Sequence, residues 1–369
     1  MSRRIAVVTG SRAEFGLLRS VMASVDAHEE LELQVVVAGA HLVAPASTAR
    51  EVREAFPVAF EVPMQTEGEH GRAADARSLA RGMEGFARAF DRLQPDMVVV
   101  LGDRIEAFAA ASVAAVGGIG IAHLHGGDRA EGVADEAMRH AITQLANVHL
   151  PATEESAERI RRLGQPGETV FQVGSPAVDD LASFEPLDDA RFEALGSPRV
   201  VVLHHGCDLG DEVERACIDA ILAAAVDRGP VLALRPNLDP GSDVVGTVID
   251  RSASGGSIHV ADHLPRAVFV GLLRRAAVLV GNSSAGLIEA AIVGCPAVDV
   301  GPRQSGRERP GSVVDVSEPD ASAIGDAIDR AIGLGRSFDH PYGDPGVGDR
   351  VAGILAATPV PPGRKRLTH

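Results

Sequence analysis

The sequence predicts an α/β protein with two doubly wound, Rossmann-like domains facing across a cleft. Three observations carry this expectation. Short apolar runs alternate with amphipathic stretches along most of the chain, the pattern of a parallel sheet with helices on both faces. The alternation restarts after a polar stretch at residues 184–197, so it describes two halves and not one long sheet. The apolar runs repeatedly end in glycine beside an acid, a histidine or an arginine, where open α/β sheets place ligands. The expected domains are 1–180 and 181–358, with a loose Pro-rich and basic tail at 359–369.

The first half reads as follows. Residues 4–9 form a strand, and Gly10-Ser11-Arg12-Ala13-Glu14-Phe15-Gly16 turns into a helix reaching about Ala27. A small-residue turn feeding a helix exposes amides that suit an anion. It is also compatible with a plain strand–helix turn, and it is not the GxGxxG dinucleotide fingerprint. Residues 33–38 are a second strand closed by Gly39-Ala40-His41-Leu42, and 58–61 a short third. Leu79, Met83, Phe86 and Phe90 step by three or four along a helix from about Ala73 to Leu93, which Pro95 stops. Strand 97–101 runs into Gly102-Asp103-Arg104-Ile105-Glu106, and a helix spans about 106–116. Strand 119–124 ends in His125-Gly126-Gly127-Asp128. Asp135, Glu136, Arg139 and His140 fit one helix. Another strand ends at His149–Pro151, and Thr153 caps a helix to Leu163. Residues 170–173 are the last strand of this half, closed by Gly174-Ser175-Pro176.

The second half repeats the scheme. Strand 199–203 ends in His204-His205-Gly206 and is followed by a helix at 211–228. Strand 231–234 ends in Arg235-Pro236-Asn237, and 258–260 is a short strand before a helix at about 265–275. Strand 278–280 runs into Gly281-Asn282-Ser283-Ser284-Ala285-Gly286 and a helix carrying Glu289. Strand 297–300 ends in Gly301-Pro302-Arg303, and 320–334 is helical.

Composition narrows the partners. The net charge of -16 and the lack of a basic stripe exclude nucleic acid as a general partner. No apolar run reaches the roughly 18 residues of a membrane span. The N-terminus enters a strand at once without a signal-peptide core, so the expected compartment is the cytoplasm. Cys207, Cys217 and Cys295 lack metal spacing and are expected to be reduced structural thiols. Lys365 is the only lysine, so a phosphate must be held by arginine, histidine, hydroxyls or backbone amides.

Each polar cluster has a functional and a structural reading. Ser283 and Ser284 can face an oxygen-rich ligand at a helix N-terminus, cap the helix, or do both. Glu289 lies where it can accept from sugar hydroxyls. Asp103 is an acid/base group or a turn anchor, and Arg104 and Glu106 follow it. His125 beside two glycines is a stronger candidate than a lone core histidine. Asp135 and Arg139 stand i, i+4, the spacing of an ordinary surface ion pair. Of His204 and His205, adjacent on a strand, one is expected to face the cleft. Arg303 and Arg307 suit bidentate phosphate contacts or are solvated loop charges. No metal site is expected, since no Cys/His/Glu set has ligand spacing.

TGSRAEFGLL (9–18), LGDRIEA (101–107), HLHGGD (123–128), DE-x-x-RHAIT (135–143), RPNLDPGS (235–242), GNSSAG with Glu289, and GPRQSGRE (301–308) together resemble the hydrolysing UDP-N-acetylglucosamine 2-epimerases. These enzymes open sialic, legionaminic and related nonulosonic acid pathways. The resemblance covers about residues 4–355. It implies a GT-B-like fold with the nucleotide held mainly by the C-terminal domain. It implies elimination of UDP across C1–C2 of the sugar and then addition of water, with no cofactor. It implies a small-molecule NDP-sugar as partner and a homodimer or homotetramer as assembly. Position by position, it puts Arg12 on the diphosphate and makes Asp103 and Asp135 the acid/base carboxylates, with Arg139 close to them. It places His205 near the leaving phosphate, Ser283 and Ser284 on phosphate, Glu289 on ribose, and Arg303 as the arginine that closes the cleft. Asn237 falls on a matching cleft position, and Arg104 joins the substrate-binding set.

Two positions depart from the family. His125 stands where well-studied relatives carry a catalytic glutamate, so the relay is open among His125, Asp128 and Glu131. Arg266 stands where relatives carry an aromatic residue beside the nucleobase, with Phe269 and His263 as alternatives. The expected activity is conversion of UDP-N-acetylglucosamine to N-acetylmannosamine and UDP. The alternatives are the same chemistry on a UDP- or GDP-2,4-diacetamido-6-deoxy sugar, a GT-B glycosyltransferase, and a non-catalytic sugar-nucleotide sensor.

Overall fold

A computed structural model describes residues 2–44, 47–69, 71–129, 136–181, 184–207, 209–236, 241–262, 264–359 and 365. In chain order the first half holds β1 (Arg3–Thr9), α1 (Arg12–Ala27), β2 (Leu31–Ala38), α2 (Ala49–Ala55), β3 (Val58–Val62), α3 (Arg72–Leu93), β4 (Met97–Leu101), α4 (Ile105–Gly117), β5 (Gly120–Leu124), α5 (Glu136–Leu145), β6 (Val148–Leu150) and α6 (Glu154–Arg162). The second holds α7 (Asp189–Ala194), β7 (Val200–Leu203), α8 (Asp211–Val226), β8 (Val231–Leu234), α9 (Ser242–Ser254), β9 (His259–Ala261), α10 (Arg266–Leu273), β10 (Val278–Gly281), α11 (Glu289–Ile292), β11 (Ala297–Val300), β12 (Val313–Val316), α12 (Ala321–Gly333) and α13 (Val347–Ala357).

The strands form two six-stranded parallel sheets, ordered β3-β2-β1-β4-β5-β6 and β12-β11-β10-β7-β8-β9. Numbered within its own half, each sheet has the doubly wound order 3-2-1-4-5-6. The chain therefore reverses its direction of winding between β1 and β4 in one sheet and between β7 and β10 in the other. At such a switch point the connections leave on opposite faces and a crevice opens at the carboxyl ends of the strands. The fold is thus α/β with two Rossmann-like halves, as the alternation predicts.

Each unit has its own core. In the first, Ala6, Val8, Val98 and Val100 point to one face and pack with Phe86, Phe90, Ile142 and the alanines of α4. Alanine keeps α4 thin and strongly helical, which lets it lie close on the sheet. In the second unit Val200, Val202, Val278 and Val280 pack under α8 and α12. Val201, Leu279 and Leu232 pack on the other face with Leu272 and Leu273 of α10. Each such fully buried aliphatic side chain contributes about 1.5–3 kcal/mol.

The boundary falls at Asp179, but the first unit also includes the chain from Tyr342 onward. The expected second domain, 181–358, is therefore shorter at its end. α13 returns to pack against α1, and the Asp179 carboxylate caps it by accepting from the amides of Gly346, Val347 and Gly348 at 2.7–2.8 Å. The expected strand at 170–173 is reduced to one bridge between His149 and Val170. α2, α7, α9, α13 and β12 fall where no element was expected. The tail at 360–364 and 366–369 lies outside the described residues.

Candidate functional site

The first sheet's switch point is lined by the N-terminal turns of α1 and α4. Ser11 caps α1 by accepting from the Glu14 amide, and Glu14 reaches back to accept from the Gly10 amide at 2.6 Å. This is close to the reciprocal S-x-x-E capping arrangement. Glu106, in the first turn of α4, is fully buried; its carboxylate accepts from Arg104 Nε at 3.3 Å and Gln65 Nε2 at 3.4 Å. A Cβ on Gly39, whose φ is +57°, would lie 2.1 Å from the Glu106 carboxylate, so only glycine fits there. Burial, and then the negative charge of Glu106, push the Glu14 carboxyl up to about 8. His41 bonds Thr9 Oγ1 at 3.0 Å and Thr48 Oγ1 at 2.7 Å, and burial with the nearby Arg104 charge pulls it down to about 4. At neutral pH both Glu14 and His41 are therefore uncharged.

One strand further, Asp103, His125, Asp128 and Arg139 form a single network. Arg139, on α5, is 3% exposed; it donates from Nη1 to the His125 carbonyl at 3.1 Å and from Nη2 to the Asp103 carboxylate. His125 has φ +56°, a left-handed conformation that costs a non-glycine residue about 1 kcal/mol. Its ring lies between Asp128 Oδ2, 2.8 Å from Nδ1, and Ser175 Oγ, 3.0 Å from Nε2. Ser156 Oγ donates to the other oxygen of Asp128 at 2.9 Å. Gly127 makes the turn possible. At its φ of +77° an added Cβ would meet the Ser156 carbonyl at 2.3 Å. His123 below is buried between the Gly102 carbonyl and Thr143, and burial lowers it to about 4.

The second switch point is organised by Asn282, which is 1% exposed. Its side chain pairs with the His205 backbone like a short strand. Oδ1 accepts from the His205 amide at 2.7 Å, and Nδ2 donates to the His205 carbonyl at 2.8 Å. The Asn282 carbonyl accepts from Arg303 Nη1 at 3.3 Å and Gln304 Nε2 at 2.7 Å, which holds the 301–308 loop against β10. Ser283 caps the following turn by accepting from the Ala285 amide at 3.4 Å. Burial first, then neighbouring charge including Arg303, lowers both His204 and His205 to about 3. Both rings are neutral at physiological pH. Glu289 accepts from Arg266 Nη1 at 3.4 Å.

The expected residues thus fall into two groups. Asp103, His125 and Arg139 come together in the first unit, with Arg104 beside Glu106. His205, Ser283, Ser284, Glu289 and Arg303 gather around the second switch point. Both His204 and His205 are buried, at 3% and 4% exposure, so their alternation along the strand exposes neither. Arg12 pairs with Glu51 of α2 at 3.0 Å, a half-exposed contact. Such a pair is worth about 0–1 kcal/mol, which leaves the guanidinium free to exchange it for an anion. Phe269 packs on the second unit's core. Glu131, Asp135, Asn237 and His263 lie outside the described residues. Among the described residues, no group of three or more His, Cys, Asp or Glu is placed to hold a metal ion. Glu14, Asn282, Ser156 and Ser175 were not among the expected site residues. Glu14 had a readable signal in its spacing from Ser11; Asn282 and the two serines are defined only by partners distant in sequence.

The fold is that of an α/β protein with a topological switch point in each unit. The chain belongs to the UDP-N-acetylglucosamine 2-epimerase family, whose model matches residues 23–356. It is 32% identical over 370 residues to a UDP-N,N'-diacetylbacillosamine 2-epimerase (hydrolyzing) of Legionella pneumophila, covering 98% of this chain and 97% of that protein. It is 31% identical over 342 residues to a UDP-N-acetylglucosamine 2-epimerase of Neisseria meningitidis, covering 90% and 89%. Its fold matches a crystal structure of UDP-GlcNAc 2-epimerase from Neisseria meningitidis bound to UDP-GlcNAc, with a TM-score of 0.83 at 17% identity over 96% of this chain and all of that one. A structure from Listeria monocytogenes gives a TM-score of 0.81 at 19% identity over 97% and 98%. The fold is GT-B-like. No helix among the described residues is long and apolar enough to cross a membrane.

Proposed function

We propose that the protein hydrolyses an NDP-2-acetamido sugar with inversion at C2, converting UDP-N-acetylglucosamine to N-acetylmannosamine and UDP. The observation that carries this reading is the Asp103–Arg139 pair at the end of β4. A carboxylate beside a buried guanidinium is an acid/base group fixed in place, which C2 chemistry requires and simple nucleotide binding does not. Asp103, with Asp135 as its expected partner, takes the C2 proton, and the C2–H electron pair forms the new bond to C1. The C1–O bond breaks with its electron pair passing to the diphosphate, leaving a C1=C2 double bond. Water then adds its oxygen to C1 while a proton returns to C2 from the opposite face. The second unit is assigned to the nucleotide. Arg303 and the amides after Ser283 suit the departing diphosphate, with neutral His205 as a hydrogen-bonding group near it. Ser284 joins the phosphate contacts and Glu289 the ribose. Arg12 and Arg104 are assigned to the substrate's anionic part.

A second substrate is favoured by a specific finding. The 32%-identical Legionella relative is named for a diacetamido sugar, and the 31%-identical Neisseria relative for N-acetylglucosamine. Incubation with each sugar nucleotide, followed by identification of the free sugar and UDP, distinguishes the two. Release of UDP only after addition of a glycosyl acceptor would overturn the epimerase reading in favour of a transferase.

A further inference from the structure

The His125 ring is held from both sides. Its Nδ1 is 2.8 Å from Asp128 Oδ2 and its Nε2 is 3.0 Å from Ser175 Oγ, with the residue 6% exposed. Ser175 is fully buried and also accepts from the Ala177 amide at 3.3 Å. Asp128 is held in turn by the Ser156 hydroxyl at 2.9 Å. A carboxylate beside Nδ1 calls for a proton on that nitrogen, which leaves Nε2 to accept from the serine. The order serine–imidazole–carboxylate matches that of a hydrolase triad, but a buried serine offers no nucleophile to solvent. Nε2 faces the fully buried Ser175 and the residue is 6% exposed, so the ring points into the unit and not toward solvent. What leaves His125 toward Asp103 is its backbone. The carbonyl accepts from Arg139 Nη1, and Arg139 Nη2 holds the Asp103 carboxylate. The left-handed φ of +56° aims that carbonyl.

We infer that His125 is a positioning residue, not the proton-transfer group: Ser175 and Asp128 lock its ring, and its carbonyl sets Arg139 and thereby Asp103. This rests on the epimerase reading for the reaction that Asp103 serves. The position here supplies a rigid turn, and the acid/base work falls to carboxylates elsewhere.

The test uses the full-length chain in three arms. First, ¹⁵N NMR of histidine-labelled protein at pH 8 should find a proton on His125 Nδ1 and Nε2 accepting a hydrogen bond. A proton on Nε2 with a bare Nδ1 overturns the chain of bonds, whatever the activity. Second, Ser175→Ala should lower kcat about 10- to 100-fold, the effect of a displaced acid/base group, with little change in KM. Unchanged kcat overturns the inference. Third, His125→Gln should keep the acid limb of the kcat/KM profile in place. Loss of that limb would identify His125 as the base and overturn the inference. If His125→Gln does not fold, the first two arms decide. Failure of the unaltered protein to turn over any NDP-amino sugar is seen before variants are compared, and it counts against the functional reading itself.

Discussion

Arg139 binds Asp103 and the His125 carbonyl with two nitrogens of one guanidinium, and it does so while 3% exposed. Breaking a buried ion pair by removing one partner costs about 3–5 kcal/mol, because the other charge is left uncompensated. Asp103 is partly solvated, so the lower end applies. Arg139→Met should therefore lower stability by about 3 kcal/mol in urea unfolding. Asp103→Asn should fold, bind UDP by calorimetry much as the unaltered protein does, and lose at least about 100-fold in kcat. Retained turnover in Asp103→Asn identifies the residue as a turn anchor only.

Glu14 predicts a pH dependence of stability. Its folded-state value of about 8 lies above the ordinary 4.5, so the folded protein holds a proton that the unfolded chain has lost. The group's stabilising contribution is complete below about 4.5 and is lost as pH rises through about 8. Between those limits it lowers unfolding free energy by up to about 1.4 kcal/mol per pH unit. Glu14→Gln keeps an acceptor for Gly10 and removes the titration. Urea midpoints at pH 5, 6, 7 and 8 should fall less steeply in the variant. Parallel slopes would show that Glu14 is ionised throughout.

Asn282 joins two strand ends through three groups: its own carbonyl, amide nitrogen and side-chain oxygen. Asn282→Ala removes the side-chain partner of the buried His205 amide and carbonyl, a loss of about 1–3 kcal/mol for a buried polar group deprived of its partner. Thermal unfolding should report that loss, and UDP titration should report weaker binding because the Arg303 loop is anchored on the same residue.

Gly127→Ala tests the close approach under the His125 turn. Its positive φ and the 2.3 Å approach to the Ser156 carbonyl leave no space for a methyl group. The substitution should destabilise by more than about 1 kcal/mol. It should also reduce turnover, since the same turn carries His125 and Asp128.

Much of this was legible in the chain. Buried parallel strands are unbroken apolar runs, so β1, β4, β5, β7 and β10 stood out, and the residues closing them proved to surround the two switch points. Edge strand β12 escaped because it is only partly buried: of Val313–Val316 only Val316 is buried, and Asp315 is exposed. Residues 170–173 have strand composition, but their pairing with the three-residue β6 is reduced to the one bridge between His149 and Val170. The return of α13 to the first unit depends on Asp179 accepting three amides more than 160 residues away, a contact that no periodicity encodes. The same holds for the site. Asp103 and His125 were visible as strand-end residues, whereas the Ser175 contact that fixes the His125 ring comes from 50 residues along the chain.

The most direct test of the central claim is turnover of UDP-N-acetylglucosamine in D₂O with NMR of the free sugar. The expected product is N-acetylmannosamine with one deuterium at C2, released together with UDP. A free sugar that keeps protium at C2, or a product still attached to UDP, would contradict the claim.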